Sequence, residues 1–500
     1  MNNNIKNTTS YIKGLRDEPV FLWLHDFEVA FPNATVYLVG GVVRDFILGR
    51  ECHDYDIVIS KVEAQALEEF LSRRGTVNLV GKSFGIFIFT PSSTKHSIEI
   101  ALPRTEKSFN TGGYHDFKIT ADPSLPIEKD LKRRDFTINA IALNIKSGEI
   151  IDPFKGQNDI EGKTIKTVGS AKKRFKEDYT RMLRGVRFAS QLNFTIDAKT
   201  INATKDYSKF ILSIPAERIQ HELNKILLSK NIEHAFNYLL QTQLPHTLIP
   251  ELTEGVGMQQ GKAHIYTVYD HLVKAAQYAS EKEYPLEIIM AALFHDCGKP
   301  RTQEFANGVD SYHNHEYVGE KMTREALNRL KYPKDFIKKV SHLVKNHMFY
   351  YNTGEVSDAG VRRLISKFGA EHIDDLIRLR MSDRKGMGRP KAKPYKLLEL
   401  EKRMKVLQTD PISVNTLSLD GDEIMKILNI KPTIRIKHLK NALMSIVLED
   451  PSKNEREILI KELEKINKLS DEDLEKRAPN YEELETERKR TLLKGYKGAK

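Results

Sequence analysis

Apolar positions in the first 150 residues switch between two periods. FLWLHDFEVAF (21–31) reads as a helix, whereas VYLVGG (36–41) is a short apolar run stopped by two glycines. The pattern predicts a strand entering a turn at Gly40-Gly41, a short helix over VVRDFILG ending at Gly49, and a second strand over DYDIVI (54–59). A helix over 62–73 and segments near 76–80, 85–90 and 97–102 extend a compact α/β unit, and INAIALNI (138–145) returns as a strand. Residues 104–126 are rich in Gly, Thr, Asp and Pro and read as a mobile loop. From about residue 170 the helical period dominates, over 174–191, 216–229, 231–241, a histidine-studded block at 262–385, and 420–449.

The expected fold class is an α+β head, a mixed sheet with helices, followed by all-α neck, body and tail domains. The 500 residues are too many for one core. The boundaries predicted are a head at 20–150, a neck at 151–230, a body at 231–390 containing the histidine block, and a tail at 391–500. No apolar run approaches the roughly 18–20 residues that span a bilayer, so no membrane segment is expected. The amino terminus has no apolar signal core. Cys52 and Cys297 suggest no disulfide framework, and a reducing cytoplasm is the simplest location. A net charge of +11 suits a polyanionic partner, although a generic basic surface gives the same number. Residues 384–405 hold nine basic and two acidic side chains and read as a linker entering a helix; the run Arg488 to Lys500 reads as frayed or solvated.

Asp54 and Asp56 lie two apart on a predicted strand, so both side chains take one face. Carboxylates crowded in this way repel unless a cation neutralises them, and Mg²⁺ uses one or two carboxylates plus substrate phosphates. Glu99, on a neighbouring predicted strand, is a candidate third ligand. Two metals so held would activate a 3′-hydroxyl and steady departing pyrophosphate. Gly40 and Gly41 would let backbone N–H groups approach a triphosphate, with Arg44 adding a charged fork. A lone D-x-D is more often a solvated turn. The whole string LVGGVVRDFILGRECHDYDIVI, which includes Asp45, is far more specific.

That string resembles motif A of the class II nucleotidyltransferases, the family of CCA-adding tRNA enzymes and bacterial poly(A) polymerases. The resemblance continues in order through about residue 230. DLKRRDFTINAIAL (130–143) is similar to the family's segment facing the ribose and phosphates of the incoming nucleotide, which implies roles for Arg133, Arg134, Asp135 and Asn139. IDPFKGQNDIEGKTIKTVG (151–169) is similar to a segment that flexes between head and neck, with Lys155 in place of the usual first glycine. FKEDYTRMLRGVRFA (175–189) reads as a helix with Asp178, Arg181 and Arg184 three apart on one face. The resemblance implies that Asp178 and Arg181 read the base and that Arg184 reaches the phosphates. SIPAERIQHELNKILLS (213–229) matches the helix that follows. Loop 104–126, with Arg104 and Glu106, corresponds to a loop that helps switch from C to A addition, and leans towards full CCA addition.

The second constellation begins at LFHDCGKP (293–300). A buried carboxylate needs a partner, and a metal supplies one for His295-Asp296. His271, His315, His347 and Asp383 follow the order of the HD phosphohydrolase domain, over about 262–385. The resemblance implies a mononuclear set of His271, His295, Asp296 and Asp383, with His315 and His347 completing a second metal position. Imidazoles with carboxylates suit Mn²⁺, Fe²⁺, Ni²⁺ or Zn²⁺, with Mg²⁺ also possible at such a centre. Phosphatase or phosphodiesterase chemistry is implied. His313 and His342 are second-choice ligands, while His234, His246, His264 and His372 read as ordinary packed or exposed histidines.

Three functions remain open from sequence. The first is CCA addition to tRNA acceptor ends from CTP and ATP, favoured because the HD fusion is associated with CCA enzymes. The second is a poly(A) polymerase or a partial enzyme adding only CC or only A. The third is an HD phosphohydrolase whose head is reduced to an RNA-binding module, against which the intact Asp54, Asp56, Arg133, Arg134, Asp178 and Arg181 argue. Neck and tail would supply the tRNA contacts, with 384–405 as a candidate or else a solvated linker. Oligomeric state and the role of 450–500 are not legible.

Overall fold

The structure is a computed structural model that describes residues 2–52, 54–79, 85–108, 117–260, 265–306, 309–349, 351, 356–388 and 395–477. The chain divides into two compact units, Met1–Thr253 with Leu327–Tyr332, and Glu254–Ala326 with Pro333–Lys500.

The first unit is built on a seven-stranded mixed sheet. Its strands are β1 (Thr35–Val39), β2 (Asp56–Ser60), β3 (Gly75–Leu79), β4 (Ile86–Pro91), β5 (Ile98–Ala101), β8 (Ala142–Asn144) and β9 (Ile150–Ile151), in the order β3-β4-β5-β2-β1-β8-β9. A separate hairpin pairs β6 (Arg104–Ser108) with β7 (Phe117–Ala121). The central strand β2 is apolar on both faces beyond Asp56, as an enclosed strand must be, whereas β3 at the edge is partly exposed throughout. β2 runs parallel to β5 and antiparallel to β1. One face packs Val39, Val58 and Ala142 against Ile127 and Leu131 of the helix Ile127–Lys132. Burial of each such aliphatic side chain contributes roughly 1.5–3 kcal/mol before entropy costs.

The α+β head and the helical remainder agree with the sequence expectation. The predicted helix 21–31 appears as a 3₁₀ turn at Pro19–Phe21 followed by the helix Leu24–Ala30. Three local expectations are corrected. Residues 2–17, where no element was anticipated, form a helix. The strand expected from residue 54 starts at Asp56, leaving Asp54 and Tyr55 ahead of the ladder. The segment read as a loop, 104–126, contains the β6–β7 hairpin, because Arg104-Thr-Glu-Lys-Ser and Phe117-Lys-Ile-Thr-Ala pair in register; residues 109–116 between them lie outside the described residues.

Helices of the same unit include Ala171–Glu177, Thr180–Leu192 and Ala216–Leu227. Here too the sequence reading is corrected, since 174–191 is not one helix. It breaks at Asp178, whose backbone is extended (φ −155°, ψ 109°) and whose Oδ1 accepts from the Thr180 N–H at 2.9 Å. Lys155 stands in the left-handed region at φ 62°, ψ 36°, which is why glycine suits that position and why lysine there carries strain of about 1 kcal/mol.

In the second unit, helices Val268–Glu281, Leu286–Phe294, His315–Arg329, Lys334–Asn346 and Ile373–Gly386 carry the histidine block. The C-terminal helices, including Ile434–Glu449 and Arg456–Ile466, close a core of their own around Leu439, Leu443, Val447, Leu459 and Leu463. The basic stretch is helical at both ends, within Ile373–Gly386 and Tyr395–Leu407; residues 389–394, His264 and the terminal run from 478 lie outside the described residues. No helix among the described residues is long and apolar enough to cross a membrane.

Candidate functional site

In the first unit a cavity of about 880 Å³ opens where β1 turns into the helix Gly41–Ile47. Asp54, Asp56 and Glu99 line one wall. Asp56 and Glu99 are direct register partners on parallel strands, so the ladder itself sets their carboxylates side by side. Burial pushes the Asp56 carboxyl up to about 6; Arg134 opposes the shift, and the negative charges of Glu99 and Asp54 add to it. Side-by-side Asp56 and Glu99, with Asp54 on the same cavity, supply the oxygen donors that a hard divalent cation takes, although the three carboxylates do not all come within 4.8 Å of one another.

Gly40 has φ +75°, and a Cβ there would stand 2.8 Å from Arg134 Nη1 and 3.3 Å from Asp56 Oδ2. That glycine is required by both backbone and neighbours. At Gly41 a Cβ would meet only Arg44, at 3.6 Å, so the chain itself does not demand glycine there.

Much of the remaining lining is cationic, and Arg134 stands close to Asp56. Arg133 donates to Asp130 at 2.9 Å and to Glu106 at 2.7 Å, and Arg134 lies 3.6 Å from the other oxygen of Asp130. Asp135 accepts from Arg184 Nε at 2.7 Å; burial alone would raise its pKa, but Arg184 and Arg181 outweigh burial and bring it down to about 2. Arg44 donates to Asn139 at 2.8 Å and forks onto Asp45 at 2.9 Å. Asp45 alone among the expected residues does not line the cavity, since it holds Arg44 from the side. Asp178, Arg181 and Arg184 all line it. Arg181 donates to Glu177 at 2.7 Å and to the Arg133 carbonyl at 3.3 Å.

Sequence reasoning passed over Arg187, Phe188, Gln191 and Arg218 of the lining, and the supporting acids Asp130 and Glu222. Asp130 is fully buried and anchors both Arg133 and Arg134. Arg218, from the helix Ala216–Leu227, donates to the Asp178 carboxylate at 3.0 Å. Glu222, one turn further along, pairs with Arg187 at 2.9 Å. An acid or base in a helix whose other face is apolar was the available signal, and it is common on solvated helices.

The second unit gathers the other six residues. Helix Leu286–Phe294 ends at His295, which brings Asp296 next to His271. Asp296 Oδ2 lies 3.3 Å from His271 Nε2 and 3.5 Å from His295 Nε2, while Oδ1 lies 3.2 Å from His315 Nε2 and 3.4 Å from His347 Nε2. Asp383 Oδ1 approaches His271 and His295 at 3.3 and 3.5 Å. The six ligands therefore form two pockets that share Asp296, one oxygen in each. His295, His315 and His347 direct Nδ1 at the carbonyls of Ala292, Tyr312 and Val344, within 2.8 Å, which leaves Nε2 for the centre. The imidazole nitrogens His271 Nε2 and His295 Nε2 are only 3.0 Å apart. Burial disfavours a charge on His271, yet Asp296 and Asp383 outweigh it and push its pKa up to about 9. A buried set of imidazoles and carboxylates, with Nε2 atoms converging, fits a divalent metal, which would take the place of the proton on His271. Lys299, also passed over, donates to Asp296 Oδ2 at 2.5 Å, and Arg380 donates to Asp383 Oδ2 at 2.6 Å. His313 is exposed, and His342 binds the Phe368 carbonyl at 2.8 Å, so neither joins the centre.

The Poly A polymerase head domain family matches residues 36–166, the probable RNA and SrmB-binding site of polymerase A matches 193–255, and the HD domain matches 263–387. The A-adding tRNA nucleotidyltransferase of Deinococcus radiodurans is 31% identical over 421 residues, covering 81% of this chain and 90% of its own. The chain belongs to the tRNA nucleotidyltransferase and poly(A) polymerase family. Another member, the multifunctional CCA protein of Neisseria meningitidis serogroup C, is 31% identical over 368 residues, 72% of this chain and 84% of its own. The family fold is also that of the Bacillus stearothermophilus CCA-adding enzyme solved in complex with CTP, with a TM-score of 0.63 at 23% identity over 88% of this chain and 95% of that one. The HD match encloses all six of the clustered histidines and aspartates of the second unit.

Proposed function

We propose that this nucleotidyltransferase adds C, C and A to tRNA 3′ ends from CTP and ATP, without a nucleic-acid template, and releases pyrophosphate. The observation that carries the reading is that one cavity holds the carboxylate trio and the pair Asp178 and Arg181. Asp178 accepts from the exocyclic amino group that C and A share, and Arg181 donates to a ring acceptor; G and U present the opposite pattern at those positions. Arg133, Arg134 and Arg184 meet ribose and phosphates, with Asp135 orienting Arg184, and Arg44 and Asn139 complete that wall. The Gly40-Gly41 backbone leaves room for a phosphate to approach. Asp54, Asp56 and Glu99 would hold Mg²⁺, which when bound activates the 3′-hydroxyl and neutralises charge on the departing pyrophosphate.

Incubation with labelled CTP, ATP or both, on tRNA transcripts ending before CCA or after CC and on an unrelated RNA, tests the reading by product length. Three added nucleotides on the first transcript support it. A-only addition is the second reading, favoured by the name of the Deinococcus relative; its signature is a single A, only on the transcript ending in CC.

The HD centre is proposed to be a second, hydrolytic site, holding Mn²⁺, Fe²⁺, Ni²⁺, Zn²⁺ or Mg²⁺ on His271, His295, Asp296 and Asp383 and on Asp296, His315 and His347. Metal held by these residues would supply a hydrolytic nucleophile by lowering the pKa of water. Lys299 and Arg380 stand beside it as cations for a phosphate. Phosphate release from phosphomonoesters, or opening of 2′,3′-cyclic phosphates, by metal-supplemented enzyme is the test. A cytoplasmic setting suits a tRNA substrate and the two free cysteines.

A further inference from the structure

We infer that the N-terminal segment braces the catalytic carboxylates from behind, with Glu18 and Tyr55 as positioning residues for nucleotidyl transfer. The inference rests on the transferase reading and extends it, through Tyr55, to the segment around Glu18 upstream of the 36–166 match.

Asp56 and Glu99 are fixed by the β2–β5 ladder, whose first register pair they form. Asp54 has no such support. It precedes β2, and the β1–β2 pairing reaches back only to Ile57 opposite Leu38. Between the two aspartates stands Tyr55. Asp54 and Asp56 line the cavity and Tyr55 does not; it is only 5% exposed and turns into the protein. Its hydroxyl donates to Glu18, at 2.8 Å to one carboxylate oxygen and 3.0 Å to the other. Its ring meets Phe21 edge-on, with centroids 4.8 Å apart. A hydrogen bond to a carboxylate is among the stronger neutral–ion contacts, and here it fixes the peptide that carries Asp54.

The segment bearing Glu18 is itself anchored. The Glu18 N–H donates to the Leu15 carbonyl at 3.1 Å, and its carbonyl accepts from the Phe21 N–H at 2.9 Å. Arg16 pairs with Glu28 and reaches the Ile145 carbonyl at 3.5 Å, next to β8. Tyr11 stacks on Phe46 at 4.2 Å, on the helix that carries Arg44 and Asp45. One short stretch of chain thus grips both the strand entrance bearing the aspartates and the helix bearing Arg44. Mg²⁺ tolerates little deviation from octahedral geometry, so the placement of Asp54 relative to Asp56 and Glu99 governs how well the trio binds it.

Tyr55→Phe, Glu18→Ala and Glu18→Gln test this in the full-length protein, with labelled CTP on a tRNA transcript lacking CCA. Tyr55→Phe and Glu18→Ala should lower kcat about 5- to 20-fold and raise the Mg²⁺ concentration for half-maximal rate about 3- to 10-fold, with KM for CTP within about twofold. Glu18→Gln keeps an acceptor oxygen and should restore most of both losses. Hydrogen exchange across 51–57 should quicken in Tyr55→Phe and stay near wild type in Glu18→Gln. An unchanged Mg²⁺ midpoint in Tyr55→Phe and Glu18→Ala would overturn the inference, as would equal loss in Glu18→Gln and Glu18→Ala. Absence of incorporation by the wild type would refute the transferase reading instead, and the exchange experiment would still judge the brace.

Discussion

Arg218 grips Asp178 by both guanidinium ends, at 3.0 and 3.5 Å, across forty residues of chain. The carboxylate proposed to read the base is therefore aimed from another helix. Its own backbone lies at a break between two helices, where the Thr180 N–H is its other partner. Arg218→Ala should raise KM for CTP and ATP about tenfold and reduce discrimination against UTP and GTP by a similar factor, the worth of one charge-assisted hydrogen bond. Arg218→Lys keeps the charge without the fork and should fall between. Single-nucleotide incorporation kinetics with all four triphosphates measure both effects.

The two sites share no residue, so their losses should separate. Asp54→Ala should cut nucleotide incorporation by at least about 10³-fold and leave phosphohydrolase activity and the metal content of the HD centre intact. His295→Ala with Asp296→Ala should do the reverse. Because Asp296 gives one oxygen to each pocket, Asp296→Ala alone should empty both, whereas His347→Ala should spare the pocket formed with Asp383. Metal per chain after dialysis, read by mass spectrometry, checks the count; one retained equivalent in Asp296→Ala contradicts the shared-ligand arrangement.

An acid whose folded pKa is raised destabilises the fold once it ionises. For Asp56 that cost opens as pH rises from its ordinary 3.8 to about 6 and is complete above. Metal-free Asp56→Asn should then be more stable than wild type at pH 7.5, by about 1–2 kcal/mol after discounting for partial exposure, and the gap should close near pH 4. Mg²⁺ should stabilise the wild type at pH 7.5 through this site and should stabilise the variant less. Thermal melts in chelator and in Mg²⁺ at the two pH values decide it.

Gly40→Ala places a methyl group at φ +75°, within 2.8 Å of Arg134 Nη1. Strain of about 1–2 kcal/mol and displacement of Arg134 are expected, lowering both melting temperature and kcat. Gly41→Ala meets no such contact, and its effect should fall on nucleotide affinity instead. Parallel melts and triphosphate titrations separate the two glycines.

The head was legible from sequence because β1 is a short apolar run closed by Gly40-Gly41, and because Asp56 and Glu99 sit on strands that the apolar runs predict; Asp54 reaches the cavity from ahead of its strand, where period 2 does not apply. The HD ligands were legible because His295-Asp296 ends an apolar helix, where a carboxylate without a partner is costly. Tertiary partnership was less so. Nothing in the local pattern separates Asp130, fully buried beneath two arginines, from an exposed helical aspartate, or Arg218 from a solvated arginine. The break at Asp178 escaped the helical period because the residues on either side keep that period. The helix at 2–17 was missed because its polar asparagine-rich start has weak helical preference and its packing on the head, through Tyr11, Ile12 and Leu15, supplies the order.

The catalytic wall is thus of two kinds. Asp56 and Glu99 belong to the sheet and persist as long as the sheet does. Asp54 depends on the side-chain contact between Tyr55 and Glu18, and a position held by side-chain contacts opens at a lower free energy than one held in a central ladder. Warming should therefore silence nucleotide transfer several degrees before the head melts, and cooling should restore it without a refolding delay.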